Sequence, residues 1–219
     1  MVAAKALLAG VVALLWTGAA LADNPTVHLT ETDQAKAAAS LLRLHDFGMG
    51  WSGGAKAAGK LTAPRCPGFD PKESDLVVSG HAAAHFAYGR GAVTLDQDTQ
   101  VLETPEAVRT DFARTIKPKL AECLAYQLKQ AGKGQVVSAE VRRLPFPALG
   151  TVSAAYRATL VLRAGSRLVK FVNDFVFVGE GRLEYSLSIV APAVESAQLV
   201  PFEQSLVQIL VRRAGANVA

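Results

Sequence analysis

The sequence is poor in the residues that build catalytic and cofactor sites, with four histidines, two cysteines and two tryptophans in 219 residues. His81 and His85 stand three alanines apart, which on a helix would set two imidazoles at metal-ligand spacing, but the run around them reads as a strand. Four strand residues span about 13 Å, too far for one shared ion, and no glutamate adjoins either histidine as a zincin requires. No metal, phosphate loop or cofactor is expected. A serine hydrolase would present its nucleophile in a Gly-x-Ser-x-Gly turn, no such string is read, and Ser79-Gly80-His81 reads as plain strand sequence. Glycoside-type chemistry needs two facing carboxylates, which Asp96, Asp98, Glu103 and Asp174 could supply only through the fold. The chain is therefore expected not to be an enzyme.

Charge of one sign is also scarce. Basic residues alternate with acidic ones, and no aromatic and basic interleaving marks a base-stacking surface, so nucleic acid is not an expected partner. Internal repeats and low-complexity tracts are lacking. Past the N-terminus no run is long and apolar enough to span a bilayer, since Leu160–Leu162 and Phe171–Val178 are short and flanked by charge.

The N-terminus itself is different. Lys5, the apolar run Ala6–Trp16 and Ala20-Leu21-Ala22 before Asp23 form the charged, apolar and small-residue parts of a signal peptide, with the cut expected between Ala22 and Asp23. Asp23 stands where a lipoprotein would carry an acylated cysteine, so no lipid is expected and the product should be secreted or periplasmic. Residues 1–22 are thus read as leader and 23–219 as one domain, enough for a single core. Loss of Lys5 leaves 22 basic against 19 acidic residues, a net charge of +3. Two cysteines in an exported chain are expected to pair, which would join Cys66 to Cys123.

Thr30-Glu31-Thr32-Asp33 has a capping-box pattern ahead of a first helix over Ala35–Leu44, with Leu41, Leu42 and Leu44 as its apolar stripe. Asp46–Pro71 reads as a long loop with one short strand at most, in which Trp51 is a candidate ligand-binding residue. Leu76–Tyr88 and Ala92–Glu103 form a hairpin about Gly89-Arg90-Gly91. Thr104-Pro105-Glu106 opens a helix that kinks or restarts at Pro118 and continues to Gly132. Four strand-like runs follow, at 135–144, 153–163, 167–178 and 182–191, joined by tight turns that favour antiparallel neighbours. In the last, Leu183, Tyr185, Leu187 and Ile189 mark a dry face and Glu184, Ser186 and Ser188 a wet one. Within the third run, Lys170, Val172 and Asp174 alternate onto the wetter face. The alternative is a buried Asp174 paired with Arg157 or Arg163. A final helix over Pro201–Arg213 turns Phe202, Leu206, Ile209 and Leu210 to the sheet. The expected fold is α+β, an antiparallel sheet of about six strands with an N-terminal, a middle and a C-terminal helix on its apolar face.

Leu44-His45-Asp46-Phe47-Gly48-Met49-Gly50-Trp51, the cysteines at 66 and 123, Ser79-Gly80-His81-Ala82 and Phe177-Val178-Gly179-Glu180-Gly181-Arg182 together resemble a group of exported actinobacterial-type domains. The group includes extracellular sensor domains of receptor-like serine/threonine kinases and stand-alone envelope proteins with a PsbP-like fold. The resemblance implies a disulfide-bearing, sensor-like domain without catalysis, whose partner is an unidentified small molecule or envelope component. The alternatives are an enzyme of unrecognised type and a structural accessory protein of the envelope. Protein recovered outside the cytoplasm is expected to have the mass of a chain beginning at Asp23. Full-length chain in the membrane fraction would contradict the processing.

Overall fold

The computed structural model describes residues 23–216 apart from Lys133, so the expected leader lies outside the described residues. Strand β1 (Thr26–Val27) leads into helix α1 (Glu31–Ala39), then a 3-10 turn at Leu44–Asp46 and β2 (Trp51–Lys56). The hairpin β3 (Val77–Tyr88) and β4 (Val93–Leu102) precedes α2 (Pro105–Thr115) and α3 (Lys119–Ala131). Strands β5 (Val136–Leu144), β6 (Val152–Ala164), β7 (Arg167–Glu180) and β8 (Leu183–Pro192) follow, and α4 (Ser196–Ala216) ends the domain.

The four late strands fall where alternation and turns put them, and all of their pairings are antiparallel. The sheet is larger than expected, with eight strands in the order β1-β3-β4-β8-β7-β6-β5 and β2 also paired to β3. The two extra strands are short and share the outer edge of β3, β1 running parallel to its start and β2 antiparallel to its second half. Neither the two-residue β1 nor the glycine-rich β2 carries an apolar alternation that would betray it in sequence.

A second correction concerns coverage. Helices lie on both faces of the sheet, where one dry face was expected. On the first face, Leu41 and Leu42 beyond α1 and Leu199, Leu206, Val207 and Leu210 of α4 pack on Phe86, Leu95, Tyr185, Leu187 and Ile189. On the second, Leu120, Cys123, Leu124 and Leu128 of α3 pack on Tyr156, Leu160 and Phe175, and Val108 of α2 packs near Leu76 and Leu102. Glu184, expected on the wet face, is consequently buried.

The helix boundaries also have local causes. Thr30 accepts a hydrogen bond from the Asp33 N–H at 3.2 Å, but Asp33 turns its carboxylate to Arg182, so only half of the capping box forms. Helix α1 ends five residues early, at Ala39, where Ser40 donates to the Lys36 carbonyl at 2.8 Å. Gln97, inside the core, accepts the Leu42 N–H at 2.8 Å and holds the chain leaving the helix. Leu44 is exposed as a result. Helix α4 starts at Ser196, five residues before the expected start, so Pro201 stands inside it and removes one intrahelical hydrogen bond.

The helix pair α2–α3 restarts at Pro118 as its ring requires. Cys66 and Cys123 are joined, with their Cα atoms 5.4 Å apart, which pins the start of the loop before β3 to α3. Gly80 is where α1 crosses β3. A Cβ there would lie 2.2 Å from the Asp33 carbonyl oxygen, so only glycine permits this approach.

Candidate functional site

Ion pairs bridge the layers. Arg182 donates to both Asp33 carboxylate oxygens, at 3.2 and 2.7 Å, to Ser79 Oγ at 3.1 Å and to the Leu102 carbonyl at 2.7 Å. Burial works to raise the Asp33 carboxyl, but the Arg182 and Ser79 hydrogen bonds outweigh it and hold the group below its ordinary value. Arg213 at the end of α4 donates to the Leu41 carbonyl at 2.8 Å and to Asp46 at 2.6 Å, closing the 3-10 turn.

Asp174 is fully buried on the α4 face, and its carboxylate is gripped by Arg157 directly across on β6 through both oxygens. The wetter-face assignment of Asp174 is therefore overturned. Alternation was right about the parity, but α4 covers that face. Glu203 of α4 lies in the same pocket with no exposure, and neither of its oxygens has a hydrogen-bond partner. It is three residues before Leu206, on the buried stripe of the helix, where sequence reading missed it. Burial first, and then the Asp174 carboxylate beside it, push Glu203 up to about 9. The fold thus holds it protonated.

The remaining polar face is different in kind. Beyond the reach of α2 and α3, the second face of β2, β3, β4 and β8 carries a strip of half-buried polar side chains. Register fixes its rows: His81 beside Gln100, Ala83 beside Asp98 and Ser186, His85 beside Asp96 and Ser188, while Glu184, next to Gln100, is already buried beside Asp111 of α2. His81 Nε2 lies 3.0 and 2.8 Å from the two Asp98 oxygens, and His85 Nδ1 lies 3.0 Å from Asp96 Oδ1. Lys56 adds a second contact to Asp96 at 2.5 Å. Ser188 donates to Asn173 at 3.0 Å. On the far side Phe175 and Phe177 stand in register with Ser188 and Ser186, so the polar strip has an aromatic flank.

The other proposed carboxylates do not join Asp96 and Asp98. Asp174 lies on the opposite face and Glu103 past the end of β4, so of the four only Asp96 and Asp98 share a face. Among the described residues no group of three or more histidines, cysteines or acids is arranged to hold a metal ion.

One string was overlooked in sequence. Gly50-Trp51-Ser52-Gly53-Gly54 has the Gly-x-Ser-x-Gly pattern, which corrects the reading that no such string is present. Ser52 is in the extended edge strand β2, not on a strand-to-helix turn, and its hydroxyl donates to the Ala87 carbonyl at 3.3 Å. It nevertheless shares the strip, diagonal to His85, with the order across strands running Ser52, His85, Asp96.

Trp51 points to the other face. Its ring stacks on Phe47 at 4.8 Å and Phe202 at 5.5 Å between centroids and meets Tyr88 at 5.6 Å. It is half-buried against the main core and joins β2 to α4, away from the polar strip. Met49 beside it is almost fully exposed.

No family model matches the sequence, and no curated protein matches it. Among solved structures, the chain is similar to the extracellular domain of PknH from Mycobacterium tuberculosis, at 5% identity and a TM-score of 0.35, over 64% of this chain and 66% of that one. The chain thus spans just under two thirds of that domain.

Replacing Glu203 by glutamine tests the buried cluster. A carboxyl raised by folding gives stability that is full below the ordinary carboxyl range and is lost as pH rises toward about 9. Glu203→Gln keeps the shape without the proton, so its urea midpoint should rise relative to the parent as pH climbs through that window. Parallel profiles would contradict the assignment.

Proposed function

We propose that this chain is an exported, unlipidated binding domain, sensor-like and without catalysis, whose recognition surface is the polar strip on β2, β3, β4 and β8. The observation that carries the reading is the pair of histidine–carboxylate contacts, His81 with Asp98 and His85 with Asp96, set along the β3–β4 part of the second sheet face. Under α4 the charged pair Arg157 and Asp174 is buried, whereas His85, Asp96 and Asp98 stay partly open to water, with side-chain exposures of 44%, 19% and 33%. The motifs shared with exported sensor-type and PsbP-like domains support the same reading, as does the joined cysteine pair, which suits an oxidising compartment.

The chemistry of the strip favours a neutral, hydroxyl-rich envelope component. Carboxylates, imidazoles, serine hydroxyls and the Gln100 amide offer donors and acceptors in alternation, and the aromatic flank gives an apolar wall.

The order Ser52, His85, Asp96 supports one rival, a serine hydrolase, because it places an imidazole between a carboxylate and a hydroxyl. Against it, the Ser52 hydroxyl is turned to a backbone carbonyl, and diagonal strand neighbours sit roughly 7 Å apart, beyond a hydrogen bond. A fluorophosphonate probe separates the two. The binding reading expects no labelling of Ser52, and expects Asp98→Asn to weaken capture of cell-wall polysaccharide fragments by about tenfold, the value of one charged hydrogen bond. Labelling that is lost in both Ser52→Ala and His85→Ala would establish the hydrolase instead.

A further inference from the structure

Several strands finish or turn at one end of the sheet. There β6 and β7 turn through Ala164-Gly165-Ser166-Arg167, β3 and β4 turn through Gly89-Arg90-Gly91, β8 finishes at Pro192 opposite Phe171, and β5 begins at Val136 opposite Leu162. Because β4 and β7 flank β8, the strands that carry the two hairpin tips lie about 10 Å apart.

Apolar side chains collect at this end. Among the described residues nine large hydrophobic ones are exposed, and five of them, Met49, Tyr88, Val137, Leu168 and Val194, lie here, with Leu168 58% and Val194 87% open. Single exposed apolar residues are ordinary on a protein surface, whereas a group of them together marks a contact site.

Basic side chains stand among them. Arg90, Arg163, Arg167 and Lys170 are exposed, and none has an ion-pair partner among the described residues. Arg157, Arg182 and Arg213, by contrast, are each held by an aspartate. Arg163 stands opposite Leu168 and Lys170 opposite Val161, so Arg163, Leu168 and Lys170 share the sheet face on which α4 lies. Val194, in the turn Ala193–Glu195 that leads into α4, is set beside β7. Arg90 is the one non-glycine in the left-handed region among the described residues, at φ 59°, in a turn where glycine would sit without strain. Glu195 adjoins Val194 and Glu140 lies farther along β5, so cations outnumber acids here.

We propose that this end of the sheet is a peripheral docking surface for an anionic phospholipid bilayer. Leu168 and Val194 enter the interface, and the four cations lie at the level of the lipid phosphates. A soluble polyanion would engage the cations and leave the apolar side chains in water. A bilayer takes both, because its anionic headgroups overlie an apolar interior. In this orientation the strands stand away from the bilayer, which leaves the polar strip open to its own ligand.

The test is sedimentation of the exported protein with vesicles of phosphatidylcholine alone and of phosphatidylcholine mixed with phosphatidylglycerol. Binding is expected to be much stronger to the mixed vesicles and to fall as salt screens the charges. Each cation near an anionic surface strengthens partitioning about fivefold, so the double change Arg163→Gln and Arg167→Gln should weaken binding about 25-fold. Leu168→Ser should weaken it about tenfold, a loss that persists in high salt. A control with Leu29→Ser and Lys117→Gln, exposed positions elsewhere on the fold, should bind as the parent does. Equal binding to both kinds of vesicle, no binding to either, or an equal loss in the control would overturn the proposal. Capture by soluble polyphosphate that matches the mixed vesicles and is untouched by Leu168→Ser would assign the surface to a polyanion and overturn it as well.

Discussion

A sheet covered by helices on both faces cannot leave a charged side chain unpaired, since an isolated buried charge costs more than the domain's net stability permits. That constraint arranges most of this molecule. Arg157 and Asp174 neutralise each other across β6 and β7 beneath α4. Arg182 and Asp33 do the same where α1 crosses β3. Gln97, equally buried, uses its amide to hold the chain leaving α1 and to reach Thr99 at 2.8 Å. Glu203 meets the constraint in another way, by keeping its proton. The polar strip on β2, β3, β4 and β8 is the one stretch of sheet described above where histidines and carboxylates stay half-wet, and that contrast is what marks it.

Much of the fold was legible in sequence because local chemistry dictated it. Thr104-Pro105 started α2, Pro118 separated α2 from α3, and the alternation of Leu183 to Ile189 fixed β8. The parts that were not legible depend on contacts distant in sequence. Asp174 with Arg157, 17 residues away, stood only as the alternative reading, and no local pattern announces Arg182 with Asp33, 149 apart. A period-2 alternation tells which residues share a face but not whether a helix will cover it. For that reason Glu184 and Asp174 were assigned to water and are buried. Of the site residues, Cys66 and Cys123 could be paired by elimination, whereas the strip emerged only from the register of β3 with β4 and β8.

The motifs that suggested a family have a structural meaning of their own. Gly80 admits the backbone of α1, and Ser79 accepts a hydrogen bond from Arg182, itself part of another motif. At Gly179 a Cβ would lie 2.5 Å from Val108 of α2, so glycine there allows α2 to dock. These are seams where helices meet the sheet. In this chain they join the layers, and function has to be argued from the strip, because a fold leaves the ligand open.

The most direct measurement is a map of amide and histidine NMR shifts as soluble cell-wall polysaccharide fragments are added. Changes centred on residues 81–87, 94–100 and 184–190, with the imidazoles of His81 and His85 among the largest, are the predicted result. Changes centred instead on Phe47, Trp51 and Phe202, on the opposite face of the sheet, would contradict the account.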